Sequence, residues 1–173
     1  MTNPQLLFLG DSLIEYGDWQ RHFPAYDVVN LGVAGETVQG LLARLPQITR
    51  QAPRPAWACL MIGTNNVAME DYGFLPDYEA IVTRLGREYP AAVLVITSLL
   101  PIHLPWLADN AIPRLNDQLR RVAHRRGATY LDAHAAFLQR MAGPSLFLAD
   151  GVHLSTAGYE TWSAAMAPFL PVT

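Results

Sequence analysis

The chain has 173 residues, of which 51% are hydrophobic, and a formal net charge of −3. This length and composition fit one domain over residues 1–173 that buries a sizeable core, and a second domain is not expected. The basic pairs at 120–121 and 125–126 lie in one predicted helix, so no phosphate-binding surface is indicated and nucleic acid is not an expected partner.

The chain begins with Met1-Thr2-Asn3-Pro4-Gln5, which lacks a basic region followed by a long apolar stretch. No apolar run approaches the ~20 residues that a helix needs to span a bilayer. The single cysteine, Cys59, excludes an intrachain disulfide and a cysteine-based metal site. From these features we expect a cytoplasmic protein without a membrane span.

Short apolar runs predict the β-strands. They are residues 6–9, 28–31, 56–62, 93–97 and 129–131. Their apolar residues are successive rather than alternating, which is typical of parallel strands covered on both faces by helices. Run length alone does not distinguish such strands from short buried helices.

Amphipathic segments with helical spacing lie between and after these runs. They cover residues 37–48, 77–89 and 156–166, together with the stretch that carries Leu115, Leu119 and Val122 on one face and ends at Gly127. The resulting β-α-β-α order predicts an α/β domain of three layers, α/β/α, with a five-stranded parallel sheet.

Polar, glycine-containing turns follow the first three predicted strands, at residues 10–12, 32–35 and 63–66. A further turn at 150–153 precedes the last predicted helix. In open parallel sheets, ligand sites form just outside the carboxyl ends of the strands. We therefore expect these turns to share one pocket.

Ser12 follows the first strand and is expected to begin a helix, where free N–H groups and the helix dipole favour negative charge on a reacting oxygen. This position suits a nucleophile, although a serine after a strand is also typical of a helix N-cap.

Asp150 and His153 are three residues apart, so one tight turn can bring the carboxylate to one imidazole nitrogen and leave the other facing a hydroxyl. A serine nucleophile needs such a base and its orienting group. A turn-forming aspartate and a partly exposed histidine would give the same spacing. The other histidines lack such a partner and are interpreted as structural or surface residues: His22, His103, His124 and His134.

Three groups are candidate donors to a developing oxyanion: the N–H of Ser12, the N–H of Gly32, which no side chain obstructs, and the side-chain amide of Asn65. Turn chemistry alone also explains glycine and asparagine at these positions.

Apolar residues after the strands are candidates for an acyl pocket or a flap over it. They are Val33, Val67, Met69, Leu104 and Trp106. Core packing is the alternative explanation of the stretches 67–69 and 104–107.

Taken together, four blocks in this order resemble the SGNH hydrolases, the group also called GDSL esterases and lipases. The blocks are Phe8-Leu9-Gly10-Asp11-Ser12-Leu13, Asn30-Leu31-Gly32-Val33-Ala34-Gly35, Gly63-Thr64-Asn65-Asn66 and Asp150-Gly151-Val152-His153-Leu154. The resemblance spans nearly the whole chain, and the layout is similar to small bacterial acylhydrolases and to platelet-activating-factor acetylhydrolase catalytic subunits.

The resemblance implies a flavodoxin-like fold with Ser12 as nucleophile, His153 as base and Asp150 as its orienter, and with Gly32 and Asn65 completing the oxyanion hole. It implies hydrolysis of small-molecule esters or thioesters through an acyl-enzyme, with no metal and no organic cofactor. The modest length of the apolar stretches 67–69 and 104–107 favours short to medium acyl groups. An acyltransferase, a carbohydrate deacetylase and a non-catalytic binding module remain alternatives. The sequence makes no prediction of oligomeric state.

Overall fold

The computed structural model describes residues 3–170 and contains a parallel β-sheet. Its strands are β1 Gln5–Gly10, β2 Asp27–Gly32, β3 Trp57–Met61, β4 Val93–Thr97 and β5 Thr129–Leu131. Their order in the sheet is β2-β1-β3-β4-β5, and every neighbouring pair is parallel. The predicted five-stranded parallel sheet is therefore confirmed, and its order is the flavodoxin-like one.

Helices connect and cover these strands. They are α1 Ser12–Glu15, α2 Trp19–His22, α3 Val38–Gln51, α4 Thr64–Ala68, α5 Leu75–Glu88, α6 Ala111–Arg126, α7 Ala133–Arg140 and α8 Thr156–Met166, followed by a 3₁₀ turn at Ala167–Phe169. α3 packs against α5 and α5 against α6, whereas α8 packs against α7 and α2. These two groups of helices form the outer layers of the sandwich.

The long amphipathic helices agree with their sequence patterns. α3 and α5 differ from the predicted bounds by a few residues, and Thr37 is the N-cap of α3, its hydroxyl accepting the Gly40 N–H at 3.2 Å. Gly127 ends α6 in the left-handed conformation, with a φ of 66°. The sequence patterns do not predict α2, α4 and α7, because such short helices have too few turns to show an apolar period.

The centre of the sheet is apolar on both faces. Leu6, Leu7, Phe8 and Leu9 of β1 have no exposed surface, and every residue of β3 is buried. β2 lies at the edge of the sheet, and none of its residues is fully buried. Within residues 3–170, no helix is both long and apolar enough to cross a bilayer.

Candidate active site

The strand order places the polar turns around one crevice. The chain leaves β1 towards β2 on one side and later forms β3 on the other side of β1. Ligand sites in such sheets lie at this reversal, outside the carboxyl ends of the strands. Ser12 follows β1, Asn65 follows β3, and Gly32 is the last residue of β2, paired with Gly10. The predicted site residues from three strands therefore share this edge.

Ser12 is the first residue of α1, and only 8% of its surface is exposed. The N-cap of this helix is Asp11, whose Oδ1 accepts the Leu13 N–H at 3.0 Å. The alternative reading of Ser12 as the cap is therefore wrong, and its hydroxyl is available for another partner. That partner is His153, whose Nε2 lies 3.1 Å from the Ser12 Oγ.

Asp150 holds the ring of His153 within the 150–153 turn. The Oδ2 of Asp150 lies 2.7 Å from Nδ1 of His153, and its Oδ1 accepts the N–H groups of Val152 and His153, both at 2.9 Å. The hydrogen bond from the His153 ring, followed by these backbone donors, lowers the pKa of Asp150 to about 2. Asp150 therefore stays a carboxylate near neutral pH.

The turn requires glycine at position 151. Gly151 has a φ of 71°, and a Cβ there would lie 2.6 Å from the carbonyl oxygen of His103. The N–H of His103 in turn donates to the Gly151 carbonyl at 2.8 Å. The segment after β4 thus supports the turn that carries Asp150 and His153.

The contacts among Ser12, His153 and Asp150 permit proton transfer from the serine hydroxyl to the imidazole. With Nδ1–H donating to the ionised Asp150, the Nε2 of neutral His153 carries a lone pair directed at the Ser12 hydroxyl. An imidazole held in this way can take the serine proton as the oxygen attacks a carbonyl carbon. The structure thus brings together the three side chains to which the sequence analysis assigns the roles of nucleophile, base and orienter, and these roles stay a prediction.

Asn65, in the first turn of α4, donates from Nδ2 to the carbonyl oxygen of Glu36 at 2.9 Å. A carboxamide has two N–H bonds, so this contact orients the group and leaves a second donor. The geometry is compatible with the predicted oxyanion donor.

The Gly32 N–H differs from expectation. It donates to Oδ1 of Asn30 at 3.0 Å, so it is not an unobstructed donor in this structure. The Gly32 N–H can bind an oxyanion only if it releases the Asn30 Oδ1 or shares its hydrogen between the two oxygens. Glycine is needed here for another reason, since a Cβ at position 32 would lie 2.4 Å from the backbone nitrogen of Glu15 in α1.

Asn30 was not identified from the sequence as a site residue. Its Nδ2 donates to the carbonyls of Ile14 and Glu15 at 2.9 and 3.2 Å, so it binds the last turn of the helix that carries Ser12. Asn30 lies at an exposed position of β2. An asparagine between the apolar residues of a strand is the signal that points to it, because its side chain can hydrogen-bond to nearby backbone groups.

Asp11 is a second residue whose environment the sequence does not show. It has no exposed surface, and burial raises its pKa to about 7. Since its backbone precedes Ser12 directly, an ionisable carboxyl group lies beside the predicted nucleophile in the protein interior.

The candidate pocket residues have different environments. Val67 has no exposed surface and packs in the core, which favours the core-packing explanation and corrects its assignment to an acyl pocket. Val33, Met69 and Trp106 are 40%, 61% and 56% exposed. Leu104 lines a cavity of about 420 Å³ between the segment after β4 and α7. A substrate-binding role for these four exposed or lining residues stays a prediction.

Two histidines that were interpreted as structural or surface residues, His103 and His134, also line this cavity. Burial lowers the pKa of His134. Neither ring contacts the 12–153 pair, so both lie outside the proposed chemistry.

Comparison with known proteins identifies the family to which the chain is similar. Residues 8–161 match the model of the GDSL-like lipase/acylhydrolase family. The chain is 30% identical to an acetylxylan esterase from Geobacillus stearothermophilus over 91% of this chain and 90% of that protein. It is 28% identical to the platelet-activating factor acetylhydrolase IB subunit alpha1 from Rattus norvegicus over 96% of this chain and 75% of that protein.

The fold is similar to that of a lipase/acylhydrolase from Enterococcus faecalis. The two structures superpose with a TM-score of 0.83 over 96% of this chain and 95% of the other, at 19% sequence identity. At that identity the likeness concerns the fold.

Proposed function

The chain belongs to the GDSL-like lipase/acylhydrolase family, and on that premise we propose that it is a serine esterase that hydrolyses small acyl esters or thioesters through an acyl-enzyme. The observation that carries the proposal is the continuous path from Ser12 Oγ to His153 Nε2, 3.1 Å, and from His153 Nδ1 to Asp150 Oδ2, 2.7 Å. A non-catalytic binding module has no need of a serine hydroxyl aligned with an imidazole and a carboxylate.

In the proposed reaction, His153 takes the proton of Ser12 as the serine oxygen attacks the acyl carbonyl. The Ser12 N–H and the free N–H of the Asn65 amide stabilise the oxyanion, and Gly32 joins them if it releases Asn30. The protonated imidazole then gives its proton to the leaving alcohol or thiol. Water, deprotonated by His153, then attacks the acyl carbon. The bond between Ser12 Oγ and the acyl group breaks, the imidazole returns its proton to Oγ, and the acid is released.

We propose short acyl groups, acetyl foremost, as the preferred acyl part. Two relatives that match almost the whole of this chain are named for removal of acetyl groups, one an acetylxylan esterase and the other an acetylhydrolase. The rest of the substrate differs between the two names, which give xylan in the first and platelet-activating factor in the second. The acyl group is therefore the feature that transfers best to this chain.

A panel of p-nitrophenyl esters from acetate to octanoate, with a matched acetyl thioester, tests this proposal. We expect kcat/KM to be highest for acetate and to fall as the chain lengthens. A fluorophosphonate should label the protein stoichiometrically at Ser12 and should not label Ser12→Ala. A folded protein that is neither labelled nor active on any ester would contradict the hydrolase and support the binding module instead.

Adding methanol to the same reactions separates hydrolysis from acyl transfer. The proposal predicts free acid as the main product, since water reacts with the acyl-enzyme. Methyl ester as the dominant product at low methanol concentration would show that the chain is an acyltransferase that uses the same residues.

A further inference from the structure

A shielded ion pair lies behind the proposed oxyanion site. Arg44 donates from Nε to Oε1 of Glu36 and from Nη2 to Oε2, both at 2.7 Å. Their side chains are 19% and 7% exposed, whereas the arginines of the other ion pairs described within residues 3–170 are at least 43% exposed. A bidentate contact that is shielded from solvent holds both side chains in one conformation. Exposed ion pairs restrain their side chains much less.

The same guanidinium reaches the end of β2. Its Nη2 also donates to the carbonyl oxygen of Leu31 at 2.8 Å, one residue before Gly32. Arg44 lies in α3 and Glu36 lies in the connection between β2 and α3. One side chain therefore ties the strand end, the connection and the helix together.

Glu36 links this pair to the site. Its backbone carbonyl is the acceptor of the Asn65 amide, at 2.9 Å. The connection that carries this carbonyl is exposed over residues 33–35, and Gly35 has a φ of 76°, so its neighbours do not hold it in place by burial. Two hydrogen bonds from backbone N–H groups also hold this connection: the Glu36 N–H donates to the Val33 carbonyl at 3.1 Å, and the Ala34 N–H donates to Oε2 of Glu15 at 2.8 Å. The Arg44 contacts are the ones that fix the Glu36 side chain and tie this residue, whose carbonyl Asn65 uses, to α3 and the end of β2.

The direction of the second Asn65 N–H depends on that carbonyl. The terminal torsion of an asparagine is broad, so a hydrogen-bond partner, and not the rotamer, sets the plane of its amide. An oxyanion donor is effective only when it is held at the right direction before charge develops. A displaced Glu36 carbonyl would therefore turn the donor away from the reacting oxygen.

We propose that the Glu36–Arg44 ion pair positions the Asn65 amide for oxyanion stabilisation, so that Arg44 is a positioning residue of the reaction although it touches no reacting atom. This inference rests on the proposed function. Its distinctive consequence is that Arg44 acts through Asn65, and substitutions at the two residues are therefore not additive.

The test is a double-mutant cycle with Arg44→Lys and Asn65→Ala on an acetyl ester. Arg44→Lys keeps the charge but loses the planar fork. We expect it to lower kcat roughly 10-fold with little change in KM, less than the ~10²- to 10³-fold loss of the donor itself. In the Asn65→Ala background it should cause no further fall in kcat.

Arg120→Lys is the control, because Arg120 also pairs with a carboxylate, through one hydrogen bond from Nη2 to Oδ2 of Asp132 at 2.6 Å, but at an exposed position on α6. It should leave kcat unchanged. Glu36→Gln is the second variant, since it keeps the backbone carbonyl but removes the charge that pairs with the Arg44 guanidinium. It should reproduce the effect on kcat if Arg44→Lys does not fold.

The outcomes separate this inference from the proposed function. Arg44→Lys overturns the positioning role if it lowers kcat equally in the wild-type and Asn65→Ala backgrounds, or if it lowers kcat in neither. In that case a fall of kcat in Asn65→Ala alone still supports Asn65 as the oxyanion donor. If Asn65→Ala itself retains kcat, both the donor and the positioning role are wrong. If Ser12→Ala is also fully active, the serine mechanism is wrong.

Discussion

Substitution of Asn65 by alanine is the sharpest test of the proposed chemistry. The amide makes one hydrogen bond in the structure, to the Glu36 carbonyl, and its other N–H is free to meet a reacting oxygen. Its donor matters chiefly when negative charge has moved onto that oxygen. Asn65→Ala should therefore lower kcat far more than it raises KM.

The expected magnitudes follow from the contacts. Loss of one oxyanion donor costs on the order of 10²- to 10³-fold in kcat, or about 3 to 4 kcal/mol of transition-state stabilisation. Loss of one hydrogen bond at a partly exposed site costs about 1 kcal/mol of folding free energy. For a chain of this length, that is a fall in Tm of roughly 2 to 4 °C.

The neighbouring Asn66 provides a control with the opposite expectation. Its side chain has no exposed surface and makes three hydrogen bonds: it accepts the Val38 N–H at 2.9 Å and donates to Gln39 and Asp71 at 2.9 and 2.8 Å. Asn66→Ala leaves a buried donor unpaired and removes a contact with a charged group, at a cost of about 4 kcal/mol. Its Tm should fall by roughly 8 to 16 °C.

Steady-state kinetics on p-nitrophenyl acetate, together with thermal melts of both variants, measures this contrast. Assays should be run well below the lower Tm so that every variant is folded. An unchanged kcat in stable Asn65→Ala removes Asn65 from the mechanism. A loss of Tm that matches that of Asn66→Ala, with kcat and KM affected together, would show that Asn65 only supports its turn.

Two further predictions concern Ser12 and its surroundings. Ser12→Ala should abolish turnover in a folded protein, and His153→Ala should lower kcat/KM nearly as much. The double variant should be no less active than either single variant, because nucleophile and base act as one unit. Measured kcat/KM values of the three variants test this, and losses that add independently would contradict it. Asp11→Asn should make the protein more stable above neutral pH, because burial raises the pKa of Asp11 from 3.8 to about 7. Between these values the unfolded chain releases a proton that the folded protein holds, so wild-type stability falls as pH rises through this range, by about 4 kcal/mol in all. Asparagine carries no charge, so melts from pH 4 to pH 8 should show a smaller fall for Asp11→Asn; parallel curves for the two proteins would refute the assignment.

Much of the site is visible in the sequence because it is local. Asp150 and His153 are close in the chain, so the geometry of one turn joins them, and the 2.7 Å contact follows from that spacing. The buried strands are likewise visible as apolar runs, and the turns after them predict the edge at which Ser12, Gly32 and Asn65 lie. Periodicity and turn chemistry act over a few residues and need no knowledge of the fold.

Local patterns failed where packing decides. Val67 follows a strand like a pocket residue but is buried in the core. The Gly32 N–H donates to the side chain of Asn30, whose amide in turn binds backbone carbonyls of α1. The sequence contains every one of these residues, but the environment of each depends on what another element brings beside it.

The sequence by itself therefore determined the strands, the three-layer α/β class and the chemistry-bearing turns. Only the tertiary structure decided the order β2-β1-β3-β4-β5, the 3.1 Å approach of Ser12 to His153 across most of the chain, and the link from Arg44 through Glu36 to Asn65. The physical reason is one of range: a strand or a turn forms from contacts among near neighbours. A hydrogen bond between distant residues forms only where the packing of the helices on the sheet brings donor and acceptor within about 3 Å of each other.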